Sequence, residues 1–130
     1  MAKCKIVRDE MGRFYGIKFI CPGSAVDTGH TGTVTLPVRW LPPGETVECP
    51  YTNGMPHWDF NGDFEAPVFG PSVLHRWEEY TGKDTPPIQH VNHSFIGCNG
   101  APPGFIVYLG DCTHALKGQV VEMPQVTEEL

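Results

Sequence analysis

The sequence predicts a mainly β protein, a compact β-sandwich or β-roll of about seven short strands with one short helix near residues 112–117. Three observations carry this. Glycine and proline supply 15 and 13 of the 130 residues, and both break helices while serving tight turns. The apolar runs are short and bounded by turn residues, as strands require. Seven Phe, four Tyr and three Trp punctuate those runs, which argues against a disordered chain. One domain is expected over residues 1–126, with loops inserted near 38–57 and 77–90 and an acidic tail at 127–130.

Two strands open the chain, Lys5 to Arg8 and Arg13 to Ile20, joined by a Met11-Gly12 turn. The second alternates only in part, with Tyr15, Ile17 and Phe19 on one face. Cys21-Pro22-Gly23-Ser24 reads as a turn. Thr33 to Trp40 is the cleanest strand, with Val34, Leu36 and Val38 inward and Pro37 assigning it to a sheet edge. Residues 41–57 read as a Pro- and Gly-rich excursion. Trp58-Asp59-Phe60 leads into Asn61-Gly62, a hairpin signal because both residues tolerate positive φ. Ala66 to Leu74 is extended, and its prolines speak against a central strand. His93 to Ile96 should pair with Phe105 to Leu109, with Phe95, Ile96, Ile106, Val107 and Leu109 as core. Asp111 or Thr113 would cap a helical turn over Ala115-Leu116-Lys117, stopped by Gly118, and Gln119 to Met123 closes as a strand.

A net charge of −6, with nine scattered basic residues, argues against nucleic acid or an anionic membrane as the main partner. The start, Met1-Ala2-Lys3-Cys4-Lys5, runs into a polar segment, so no secretory signal peptide is expected. No run approaches the roughly 18 apolar residues a membrane span needs. Five cysteines, an odd number, fit reduced thiols.

His90, His93, Asp111, Cys112 and His114 crowd around one apolar strand. Imidazole, thiol and carboxylate bind metals and move protons near neutral pH. A structural zinc takes four Cys or His ligands, and the candidates here are Cys21, His30, His93, Cys112 and His114. A thiol nucleophile is the other chemistry: Cys112 at a helix start, His93 or His114 as base, Asp111 as its orienter. Against both stands a structural role, Asp111 capping the helix and Cys112 packed beneath it; no nucleophile elbow surrounds the cysteine. Trp40 and Trp77 border the inserted loops and are candidate anchors for a protein partner.

Five blocks, taken in order, resemble a family of small phage and prophage proteins that often carry the automatic label ammonia monooxygenase. They are Phe19 to Gly23, Trp58 to Asp63 with Pro67, Pro71 to Leu74, His93 to Ile96, and Leu109 to Gln119 with its Asp-Cys-Thr-His core. The resemblance implies a zinc-binding set, since members carry Cys-Pro-Gly-Cys and a Cys-His pair. Here Ser24 and Asn92 stand in two of those cysteine positions. What remains is a rewired set of Cys21, His30, His93 and either Cys112 or His114, so zinc is the only cofactor in view and none is the expectation.

Two functions follow as expectations. The first is a phage-encoded, non-enzymatic protein acting through its loops on a protein partner. It would be a virion accessory on capsid or tail, or a host-protein adaptor, placed in a larger assembly or the host cytoplasm. The alternative is a zinc- or thiol-dependent hydrolase built on His93, Asp111, Cys112 and His114.

Overall fold

A computed structural model describes residues 2–127. Among the described residues eight strands form two sheets whose strand pairings are all antiparallel. One sheet orders β1 (Cys4–Arg8), β2 (Phe14–Ile20) and β3 (Thr33–Leu36) side by side. The other orders β4 (Asp59–Phe60), β5 (Phe69–Glu79), β6 (Ile88–Ile96), β7 (Phe105–Tyr108) and β8 (Val120–Glu122). The chain is mainly β, and within each of the two sheets every strand pairs with its neighbour in sequence. The acidic tail, apart from Thr127, lies outside the described residues.

The partial alternation of β2 has a physical origin. Val7 pairs with Gly16 but Arg8 pairs with Phe14, so Tyr15 is an extra residue, a β-bulge. An odd insertion moves Phe14 to the face of Ile17 and Phe19, and all three are fully buried. Gly16 lets the neighbouring strand approach, because a Cβ there would lie 2.5 Å from the Leu36 carbonyl oxygen. β3 is an edge strand that ends just before Pro37. Trp58 N–H then donates to Pro37 O and Arg39 N–H to Trp58 O, both at 2.9 Å, tying the two sheets' flanks together.

The helix is not where the sequence places it. Residues 114–118 form turns, and the α-helix is α1 (Pro22–Thr28), in the segment read as a turn. Cys21 caps α1, its Sγ accepting from Ser24 N–H at 3.4 Å, with Pro22 in the first turn and Gly29 at φ +75° closing it. At 112–117 the first amides are spent outside any helix, Cys112 N–H on Leu109 O and Thr113 N–H on Val91 O. Thr113 does not cap there either. Its N–H donates to Val91 O and its Oγ1 accepts from Val91 N–H, so it latches onto β6.

Three further expectations are corrected. β5 lies inside its sheet although it contains Pro71. The β5–β6 register shifts between Phe69 and Val73, so the proline sits at an irregularity where no regular ladder bond is lost. The loop expected over 77–90 is narrower, because β5 runs to Glu79 and β6 resumes at Ile88. The 38–57 segment is no free excursion. Cys49 N–H donates to Phe14 O at 2.8 Å, Cys49 and Thr52 have no exposure, and a 3-10 turn spans Pro50–Thr52.

The predicted β6–β7 hairpin is present, with Ser94 opposite Tyr108 and Ile96 opposite Ile106. Its inward face is Asn92, Ser94, Ile96, Ile106 and Tyr108. Of the five residues expected as core, Ile96 and Ile106 are fully buried; Phe95, Val107 and Leu109 are half-buried on the other face. Phe69 stacks on Phe60 within its own sheet (ring centroids 5.0 Å) and on Phe19 across the sheets (5.5 Å). Each such buried aromatic stabilises the fold by about 1.5–3 kcal/mol relative to exposure.

Candidate functional site

The two sheets do not close completely between β2, β3 and α1 on one side and β5 and β6 on the other. A cavity of about 390 Å³ opens there. Register places Val73 opposite Ser94 and His75 opposite Asn92; Val73, Ser94 and Asn92 form its floor. Phe19, Val34, Leu36 and Trp58 supply apolar walls, and His30 and His75, both exposed, stand at its edge.

One end of the cavity is a buried polar cluster. Asn92 Nδ2 donates to Ser24 Oγ (2.9 Å) and towards Cys21 Sγ (3.5 Å), and Asn92 Oδ1 lies 2.9 Å from His114 Nε2. Because Oδ1 only accepts, His114 carries its proton on Nε2, and Nδ1 accepts from Leu116 N–H at 3.3 Å. The imidazole is thereby fixed as a neutral tautomer, and burial pushes its pKa down. Tyr108 OH accepts from Gly23 N–H at 2.7 Å and lies 3.2 Å from Cys21 Sγ. Burial pushes that phenol well above its ordinary range. Gly23 must be glycine, since a Cβ there would lie 2.4 Å from the Tyr108 ring.

The proposed catalytic set is divided by β6. His93 points to the outer face, donating from Nδ1 to Asp111 Oδ2 at 3.0 Å, whereas His114 belongs to the inner cluster. Cys112 donates its thiol to His93 O (3.2 Å) and accepts from His93 N–H (3.3 Å), so both bonds are to backbone. No helix follows Cys112 to lower its pKa; burial raises it instead. Asp111 and Cys112 hold the Leu109–Thr113 turn against β6, a structural arrangement without a nucleophile–base contact.

The metal set is divided in the same way. His30 is at the cavity edge, His93 is outside with Asp111, and Cys21 and His114 are joined through Asn92. Among the described residues no three His, Cys, Asp or Glu side chains are grouped to hold a metal. The donor chemistry argues against zinc too. The Asn92 amide points its protons at Cys21 Sγ and Ser24 Oγ, where a cation would need lone pairs free. These residues do not fit a tetrahedral zinc. After equilibration with excess zinc and desalting, the protein is expected to retain far less than one ion per chain, with an unchanged melting temperature. A stoichiometric ion that raised the melting temperature would overturn this.

Neither tryptophan is a free loop anchor. Trp40 makes edge contacts with Phe14, Phe60 and Phe64, at 5.1–5.8 Å between centroids. Trp77 stacks on His90 (4.0 Å, 8° between planes) and donates Nε1–H to Asp27 Oδ2 at 2.9 Å. His90 faces Glu79 Oε1 (2.9 Å) and Asp27 Oδ1 (3.1 Å) with its two nitrogens, so both carboxylates raise its pKa and favour the imidazolium. This group clamps α1 onto β5 and β6. Nothing in the sequence marks Asp27, Glu79 or Ser94, because each acquires its role only when distant elements come together. Glu48, Thr52 and His57 likewise form a small network inside the 38–57 segment.

Fold and clusters define an antiparallel two-sheet β protein with a cavity between its sheets. Comparison with known proteins finds no matching family model, no matching curated protein and no matching solved structure. Among the described residues no helix is long and apolar enough to cross a membrane.

Proposed function

We propose that this protein acts by binding another protein, without catalysis of its own, as a phage virion accessory (capsid or tail) or a host-protein adaptor. One observation carries the reading. Met11 and Tyr51, each 77% exposed, are the most exposed large apolar side chains among the described residues. Both border one depression of about 450 Å³, shared with Val7, Tyr15 and the charged pairs beside them. An apolar centre ringed by charge is the anatomy of a protein interface.

The face is also held in shape before any partner arrives. Arg8 makes a bidentate pair with Glu45 (2.7 and 2.8 Å), and Asp9 gathers Met11 N–H, Arg13 N–H and the Arg13 guanidinium. Tyr51 rides on a 3-10 turn whose neighbours Cys49 and Thr52 are buried. Rigid loops lose little entropy on docking. Recognition therefore centres on Tyr51 and Met11, and not on Trp40 or Trp77.

The partner surface expected is a protein patch presenting an apolar side chain within a charged rim. Tyr51→Ala should weaken association with purified virions or the captured host protein by about thirtyfold, the ~2 kcal/mol of an interface hot spot. Its melting temperature should stay near that of the parent. Deleting residues 41–55 is a poorer test, since it removes Cys49 and Thr52 from the fold. Unchanged association in a Tyr51→Ala, Met11→Ala double variant would sink the proposal. If Cys112→Ser abolished a hydrolytic activity in a folded protein, the hydrolase reading would replace it.

A further inference from the structure

We infer that the cavity between the two sheets binds a small neutral molecule with an apolar body and a single hydroxyl or carbonyl end. This site is separate from the Met11–Tyr51 face and does not depend on it.

Size comes first. At about 390 Å³ the cavity lies within the range of roughly 300–1,000 Å³ common to small-molecule sites. The walls then select the chemistry. Phe19, Val34, Leu36, Trp58 and Val73 are apolar, and Trp58 has already committed its Nε1–H to Ser72 O at 3.0 Å, leaving its ring as a flat wall. Among the described residues no Lys, Arg, Asp or Glu lines the cavity. A charged ligand would lose hydration there with no carboxylate, ammonium or guanidinium to replace it.

The polar end is defined by Ser94. This residue is 3% exposed and lies on the cavity floor, yet its hydroxyl has no hydrogen-bond partner among the described residues. No fully buried side-chain nitrogen or oxygen among the described residues lacks a partner, so the unbonded Ser94 hydroxyl is open to the cavity and available to whatever fills it. Ser24 of α1 also lines the cavity; its Oγ accepts from Asn92 Nδ2 and keeps its own proton to give. Two hydroxyls therefore face the cavity with donor and acceptor capacity in hand, beside a Cys21–Asn92–His114 group that is already fully paired. A ligand hydroxyl or carbonyl matches this pair; a purely apolar molecule would leave Ser94 unpaired.

The test uses 2-naphthol and naphthalene, alike in shape and differing by one hydroxyl, titrated into the full chain and followed by amide and indole NMR shifts. Saturable shifts are expected at Val34, Val73, Ser94 and the Trp58 indole, with 2-naphthol bound about three- to tenfold more tightly, the factor of one neutral hydrogen bond. Ser94→Ala should erase that preference while leaving naphthalene affinity unchanged. Val73→Trp, which fills the cavity from its floor, should abolish binding of both probes. Tyr51→Ala should bind both as the parent does. The inference is overturned by absence of saturable shifts at these residues, by equal affinity for the two probes, or by an intact preference in folded Ser94→Ala.

Discussion

Phe69→Ala is expected to destabilise the protein by about 3–5 kcal/mol, the usual cost of truncating a buried phenylalanine. Domains of this size are stable by only roughly 5–15 kcal/mol, so the variant should be partly or wholly unfolded at physiological temperature. Phe69 has no exposed surface and serves three packing partners at once. It pairs with Phe60 in β4 and Ile96 in β6, and its ring stacks on Phe60 and on Phe19 across the sheets. Removing it takes away an aromatic contact between the five-stranded sheet and the three-stranded one. The surrounding rings are held by strands on both sides, so little collapse can fill the space. Urea unfolding followed by circular dichroism measures the loss. Phe95→Ala, the truncation of a half-buried ring on the outer face of β6, should cost clearly less. Equal costs for the two variants would mean that Phe69 is not the junction of the sheets.

Fold class was legible because two signals agreed. Turn residues cut the chain into short apolar runs, and the β6–β7 hairpin has the partners its alternation predicts. What failed to show in the sequence failed for physical reasons. A helix as short as α1 carries almost no periodicity, and Cys21-Pro22-Gly23 reads equally as a turn or as a capped first turn. The bulge at Tyr15 breaks the period of two that would otherwise mark Phe14 as core. Pro71 speaks against an interior strand until the irregularity that accommodates it is seen.

The candidate site was legible in its residue types and not in its grouping. Cys21, Cys112 and His114 stand out as chemistry-bearing side chains, but alternation along β6 separates His93 from Asn92 and sends them to opposite faces. Ser94 carries no sequence signal at all. Its place in the proposed site comes from an unbonded hydroxyl open to the cavity, a property of the packed sheets. Tryptophan dominates expectations of docking, so a lone Tyr51 carries no signal in the sequence, whereas the structure commits Trp40 and Trp77 to internal contacts.

Asn92 is the second position where a single change should be costly, and its pH dependence distinguishes the hydrogen-bonded cluster from simple packing. Asn92→Leu preserves volume but leaves His114 Nε2–H without an acceptor and deprives Ser24 and Cys21 of a donor. At about 1–3 kcal/mol for each buried group left unpaired, a loss of about 2–4 kcal/mol is expected, since Ser24 retains some access to water. Asn92→Asp probes the charge state. In the parent, burial lowers the His114 pKa below its ordinary 6.5, so the folded state binds fewer protons than the unfolded one. Its contribution is complete above pH 6.5 and is lost as pH falls below that value. A carboxylate at position 92 would hold the imidazolium and raise that pKa, reversing the sign: the pair stabilises below pH 6.5 and is lost as pH rises through the new value. The difference in unfolding free energy between parent and Asn92→Asp should therefore narrow from pH 8 to pH 5.5. Titrations shared by both proteins, such as that of His90, cancel in the difference. A gap that widened towards acid, or an Asn92→Leu variant as stable as the parent, would show that Asn92 does not govern the His114 proton.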